Sequence, residues 1–244
     1  MALAVAQILA SSRSSGTSLT RTYAGAVSAG SLLVAHSAVF NGSSSVEPTV
    51  SDTVNGTWTG TTTTGYAIAG DAGSQLWLWS FANSAAGTPQ VTMDPPGTNS
   101  DNDLTLFEIT GAATTSPRDV SVTNTGISSA ASVATGTLAQ AAEILISSFS
   151  HVNPTQTLTP DTADGFTQAD ENESNSTGQC FNVQYKIVAS TASVTVDGTI
   201  GASVGWFTGV VSFKEAAAGG GGLASALTDS ALVASRLVEG VLTR

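Results

Sequence analysis

From residue 1 to about residue 213, the apolar side chains come in short runs that alternate with polar ones, and Gly, Asn, Asp, Ser or Pro closes each run. Gln75-Leu76-Trp77-Leu78-Trp79 and Ser193-Val194-Thr195-Val196 both carry the period of two. That period belongs to a strand with one face on a core, because successive side chains leave a strand on opposite sides. No stretch before Gly219 sustains a helical period. The 33 Ser and 34 Thr residues strengthen the reading, since β-branched Thr suits a pleated surface and Ser suits turns. Many short strands with turn signals between them predict an all-β antiparallel sandwich. Strands are expected at residues 3–9, 18–23, 31–39, 57–61, 75–81, 90–93, 104–109, 119–123, 132–137, 143–149, 180–189, 193–197 and 204–213. Irregular stretches are expected at 41–50, 94–103 and 152–178.

The chain divides into three parts. Residues 1–215 form the sandwich, residues 216–222 an Ala/Gly linker, and residues 223–244 a tail. With 244 residues a real core is affordable, and a charged fraction of only 10% with 41% apolar residues argues against disorder. Seven basic against eighteen acidic residues give a net charge of −11. The basic residues are scattered, so nothing neutralises a phosphate backbone and nucleic acid is excluded as a partner. No apolar run approaches the ~18 residues of a membrane span, so a membrane partner is excluded as well. The apolar residues 1–10 have no basic residue ahead of them and read as a first strand rather than a signal peptide. Cys180 is the single cysteine, which rules out an intrachain disulfide and a cysteine zinc cluster and reads as a core residue.

Candidate chemistry is sparse. Gly201-Ala202-Ser203-Val204-Gly205 matches the nucleophile-elbow pattern, but that turn requires a following helix, and residues 206–213 read as a strand. Both histidines, His36 and His151, precede Ser203, whereas the elbow's histidine base follows its acid. They are expected as core or surface residues. Glu108 and Glu143 could serve as a glycosidase acid pair, although amphipathic strands would turn both to solvent. Trp58, Trp77, Trp79 and Trp206 offer possible glycan-stacking faces, with core packing as the alternative. Asp161, Asp164, Asp170, Glu171 and Glu173 fall in one stretch that could hold calcium through carboxylate oxygens, but they lack the order of a twelve-residue calcium loop. Asp101-Asn102-Asp103 is equally incomplete. The expectation is therefore a chain without a cofactor and without catalysis.

Five pieces of pattern occur in a characteristic order. They are Ala4-Val5-Ala6-Gln7, Ala29-Gly30-Ser31-Leu32-Leu33-Val34, the stretch from Val50 through Asp52-Thr53-Val54-Asn55-Gly56 to Trp58, Leu106-Phe107-Glu108-Ile109-Thr110-Gly111, and Ala142-Glu143-Ile144-Leu145-Ile146. Together they resemble a recurrent β-sandwich domain of phage and bacterial surface proteins. The family's usual Asp-x-x-Gly-Asn turn has Gly and Asn exchanged here. The resemblance implies a jelly-roll-like sandwich without a catalytic set, and fold alone does not specify function.

The tail repeats every five residues: Ser225-Ala226-Leu227-Thr228-Asp229, Ser230-Ala231-Leu232-Val233-Ala234, Ser235-Arg236-Leu237-Val238-Glu239 and Gly240-Val241-Leu242-Thr243-Arg244. On a helix, successive leucines would rotate by about 140°, and on a strand they would alternate sides, so neither element gathers them on one face. The units resemble those of pentapeptide-repeat solenoids, in which Leu points inward. Four units make one coil, which cannot bury its own leucines. Leu223, Leu227, Leu232, Leu237 and Leu242 are therefore expected to carry assembly, against other copies of the chain or a partner with the same repeat. An amphipathic helix completed by Val233, Val238 and Val241 is the alternative. The whole reads as a non-enzymatic structural protein of a tailed-phage virion, most simply a capsid decoration or cement protein that binds other virion proteins and forms a homo-oligomer. A tail or neck appendage and a glycan-binding module are the alternatives.

Overall fold

The computed structural model describes residues 1–11, 14–40, 47–58, 61–68, 71–95, 99–151, 153, 155–161, 164–172 and 180–217. Among them are sixteen strands and no α-helix. The first eight are β1 (Ala4–Leu9), β2 (Ser14–Gly16), β3 (Leu19–Thr22), β4 (Leu32–Phe40), β5 (Thr49–Asp52), β6 (Gly56–Thr57), β7 (Thr61–Ile68) and β8 (Asp71–Phe81). The second eight are β9 (Gln90–Asp94), β10 (Asn99–Thr110), β11 (Arg118–Ala134), β12 (Ala142–His151), β13 (Leu158–Pro160), β14 (Thr167–Asn172), β15 (Cys180–Ala189) and β16 (Thr195–Lys214).

Two antiparallel sheets make the central sandwich. The first runs β1-β10-β4-β8-β7 with β2 also on β10; the second runs β11-β16-β12-β15-β14 with β13 also on β16. Between them Leu32, Val34, Phe107 and Ile109 meet Ile144, Ile146, Phe181, Val183 and Phe213. The alternate residues of the first sheet, Leu33, Ala35, Trp77, Trp79, Leu104 and Leu106, pack outward on a third sheet, β3-β9-β5-β6, through Leu19, Val50, Trp58, Val91 and Met93. Because the first sheet is covered on both faces, β4 is a nearly unbroken apolar run rather than an alternating one.

The outer face of the second sheet is covered by the chain itself. β16 pairs with β12 over residues 206–214 and with β13 over 198–200, while β11 follows it along its length with register shifts between Arg118 and Ser121 and between Ser128 and Ala130. The far half of this ribbon lays Val133, Val196 and Ile200 against Leu145 and Phe149, with Leu158 and Phe166 beside them. The sandwich expected from the sequence is thus present, with a layer added on each side.

Several boundaries differ from the sequence reading. The strands expected at 119–123 and 132–137 are one strand, β11, and those at 193–197 and 204–213 are one strand, β16. Their Gly- and Ser-rich middles look like turns in sequence, yet Asn124–Ser128 pair with Val204–Thr208, and beyond a register shift Ala130 and Ala131 pair with Thr199 and Gly198. β5 and β10 intrude into the stretches expected to be irregular, and β13 and β14 form within 152–178. The exchanged Gly and Asn also find a reason. Gly56 takes φ +79°, while Asp52 Oδ1 accepts from Val54 N at 2.7 Å and Asn55 N at 2.6 Å, and Oδ2 accepts from Asn55 Nδ2 at 3.0 Å and Trp58 Nε1 at 2.6 Å.

The register places the start and end of the sandwich at one pole. Ala4 lies opposite Thr110, and Glu143 opposite Lys214. Leu3 N donates to Glu215 Oε1 at 3.2 Å, and Ala216 N donates to the Gly111 carbonyl at 2.8 Å. Gly111 has φ +76°, and a Cβ there would sit 2.3 Å from the Ala2 carbonyl oxygen, so no other residue fits the junction. At the opposite pole Phe40 faces Asp101, and His151 faces Cys180.

Candidate functional site

The four tryptophans are core residues, which corrects their reading as stacking platforms. Trp79 is 1% exposed, and Trp58, Trp77 and Trp206 are 5% exposed. Trp77 and Trp79 do share one face of β8, with rings stacked at 6.0 Å and 17°, but that face lies under the third sheet. Trp206 lies over Gly126, where a Cβ would meet its ring at 2.7 Å, and its Nε1 donates to Ser128 Oγ at 2.8 Å. None of the four leaves a ring face for a sugar.

Glu108 and Glu143 are also buried, not solvent-facing. Glu108 accepts from Gln7 Nε2 at 2.6 Å, Ser28 N at 2.8 Å and Ser31 Oγ at 2.8 Å, which ties the 25–31 connection to β10. Beside it Tyr23 donates to the Phe107 carbonyl at 2.9 Å, and burial, then Glu108 and Asp52, pushes its hydroxyl pKa up. Glu143 accepts from Gln140 N at 3.2 Å, and burial, with a smaller effect of Asp119, raises its pKa. The alternation of β10 and β12 turns Glu108 toward the third sheet and Glu143 toward the opposite outer face. The whole central core therefore stands between them, whereas glycosidase carboxyls lie about 5–9.5 Å apart across one substrate.

His36 faces the space between the two central sheets, with Nε2 2.8 Å from Ser148 Oγ. Burial lowers its pKa to about 4, with Asp170 pulling the other way, so the ring is neutral at pH 7. His151 is buried at the end of β12, on the side of Phe149, so the two histidines address different cores. Ser203 is exposed in the middle of β16, with no strand-to-helix turn beside it, and the elbow pattern is a coincidence of composition. Cys180 is buried at the start of β15, as a core residue should be.

The acidic stretch is divided by the fold. Asp170 and Glu171 belong to β14, where Asp170 Oδ2 accepts from Ser11 N at 2.7 Å and Thr105 Oγ1 at 2.5 Å. Asp101, Asn102 and Asp103 are buried in β10. Glu173 and the tail leucines Leu223, Leu227, Leu232, Leu237 and Leu242 lie outside the described residues.

Asp161 and Asp164 instead meet Asp197, all three offering carboxylate oxygens within 4.8 Å of one another. The β13–β16 pairing brings them together, and Asp161 N donates to the Asp197 carbonyl at 3.0 Å. Burial, then Asp164 and Asp161, raises the Asp197 pKa, and its Oδ1 is shielded with no hydrogen-bond partner. A cleft of about 490 Å³ opens alongside, lined by Ser132, Thr159, Pro160 and Thr199. Such oxygens are of the kind a hard cation takes. Asp197 has no signal of its own in the sequence, because its partners stand more than thirty residues away across a strand pairing.

No protein-family model matches the chain, and no curated protein matches it either.

Proposed function

We propose that the protein is a non-enzymatic structural component of a tailed-phage virion, a capsid decoration protein held through residues 223–244. One observation carries the reading. The first strand of the sandwich begins and the last one ends at the same pole, where Leu3 N meets Glu215 Oε1 and Ala216 N meets the Gly111 carbonyl. A module joined at one pole presents the other outward. The covering of both central sheets suits a particle surface, since it buries the sheet faces that would otherwise pair or aggregate. The acidic balance of the chain keeps it off nucleic acid. The partners are the major capsid protein or tail and neck proteins, with further copies of the chain completing a homo-oligomer through the five-residue repeats. Assembly takes place in the host cytoplasm.

A density map of the purified virion tests this reading. The expected outcome is the sandwich on the particle exterior with its Leu3–Glu215 pole toward the shell. Absence of the chain from purified particles by mass spectrometry would overturn it.

A further inference from the structure

A cleft of about 220 Å³ opens at the pole where the chain leaves the sandwich, walled by Met1, Ala29, Gly30, Gly111 and Ala112. Three of the polar groups at its wall are already engaged. Ser31 Oγ donates to Glu108 Oε1 at 2.8 Å, Ser28 N donates to the same oxygen at 2.8 Å, and Thr110 Oγ1 donates to the Ala4 carbonyl at 3.5 Å. No charged side chain lines it. What remains is a largely apolar open recess, larger than the roughly 150 Å³ of an enclosed cavity that holds benzene.

We propose that Leu223 of the C-terminal segment docks in this cleft, in the same chain, and so sets the point from which the rest of the tail departs. This rests on the reading of the tail as a docking element. The geometry favours Leu223 because the chain leaves at the cleft's rim: Gly111 lines it, and the Gly111 carbonyl receives Ala216 N at 2.8 Å. Leu223 is the first large aliphatic residue after the four glycines at 219–222. Six residues beyond Ala217, it can reach about 20 Å, and so short a tether gives an effective concentration of millimolar order. Charge agrees as well. Residues 223–244 carry Asp229 and Glu239 against Arg236 and Arg244, a neutral balance that the acidic remainder of the chain does not repel.

The test compares amide NMR spectra of the full chain with its Leu223→Ser variant, a change outside the sandwich that leaves the fold intact. The expected result is a shift confined to residues 28–31 and 110–112 and unchanged by tenfold dilution. Unmoved amides there would overturn the proposal, as would shifts that fade on dilution, which would make a second copy the occupant. A second variant, Ala29→Phe, at an exposed residue of the cleft wall, crowds the cleft and is expected to speed proteolysis within 218–223 by about threefold or more; an unchanged rate in a folded variant would count against docking. Deleting 223–244 separates the two readings. Loss of particle binding on deletion with no Leu223→Ser shift removes this docking but keeps the tail's role, and the converse result removes the role but keeps the docking.

Discussion

At the pole where the chain enters and leaves, the space between the central sheets is filled by Leu3, Leu32, Ile109, Ile144 and Phe213. Toward the opposite pole the same space receives His36, Thr105, Ser148 and Asp170, and the alternation of β10 carries Asp101 and Asp103 to the same side. One pair of sheets is thus joined by apolar packing at one end, and at the other by apolar packing of Ala38, Leu76, Phe181 and Phe207 with two buried hydrogen bonds, His36–Ser148 and Thr105–Asp170, set among it. Apolar packing is indifferent to protons, whereas a neutral buried imidazole is not. The two ends should therefore respond differently to the same perturbation.

The largest difference should come from truncating the apolar end. Phe213→Ala is expected to cost about 3–5 kcal/mol in urea unfolding, equally at pH 7 and pH 5. A loss that depended on pH would erase the distinction between the poles.

His36 tests the other end. Its pKa falls from 6.5 in the unfolded chain to about 4 in the folded one. Stability from the neutral ring is therefore complete above pH 6.5 and is lost as pH falls toward 4, by about 3 kcal/mol. Thermal melts between pH 7 and pH 4 should show this slope in the native chain and a flatter one in His36→Leu, which keeps an apolar side chain in place. Parallel slopes would mean that the acid sensitivity lies elsewhere.

Thr105→Val should have a smaller effect. It removes the hydroxyl donated to Asp170 and is expected to cost about 1–2 kcal/mol at pH 7, read by the same melts. No measurable loss would show that Ser11 N alone satisfies Asp170 and that the polar end is held less tightly than its contacts suggest.

Asp197→Asn lies outside both poles and serves as the reference. In EDTA it is expected to stabilise by roughly 0.5 kcal/mol or less, because it relieves repulsion from Asp164 and Asp161 that solvent largely screens. Destabilisation in EDTA would mean that the Asp197 carboxylate makes a favourable contact.

The strands that were easiest to read are those with one buried face or a run of apolar residues, such as residues 180–189, whose limits agree with β15 to the residue. The middles of β11 and β16 were not legible, because exposed strands that pair on both sides of a register shift need no apolar signal. The buried acids were missed for a related reason. A glutamate on an alternating strand reads as solvent-facing until another segment covers it; Glu108 is met by Ser28 and Ser31 of the 25–31 connection, and Glu143 by Gln140 and Asp119. The period of two over Gln75–Trp79 sets Trp77 and Trp79 on one face of β8; which layer would cover that face was not written in the local sequence.

Period, turn residues and composition by themselves determined an antiparallel all-β chain, its principal strands and the placing of Cys180 in a core. Those are local properties, set by how side chains alternate along a strand. Tertiary structure alone decided the third sheet, the folding of the β11–β16 ribbon over the second, the separation of Glu108 from Glu143 and the meeting of Asp161, Asp164 and Asp197. Each depends on a pairing between distant residues, and burial and proximity follow from which strands pair.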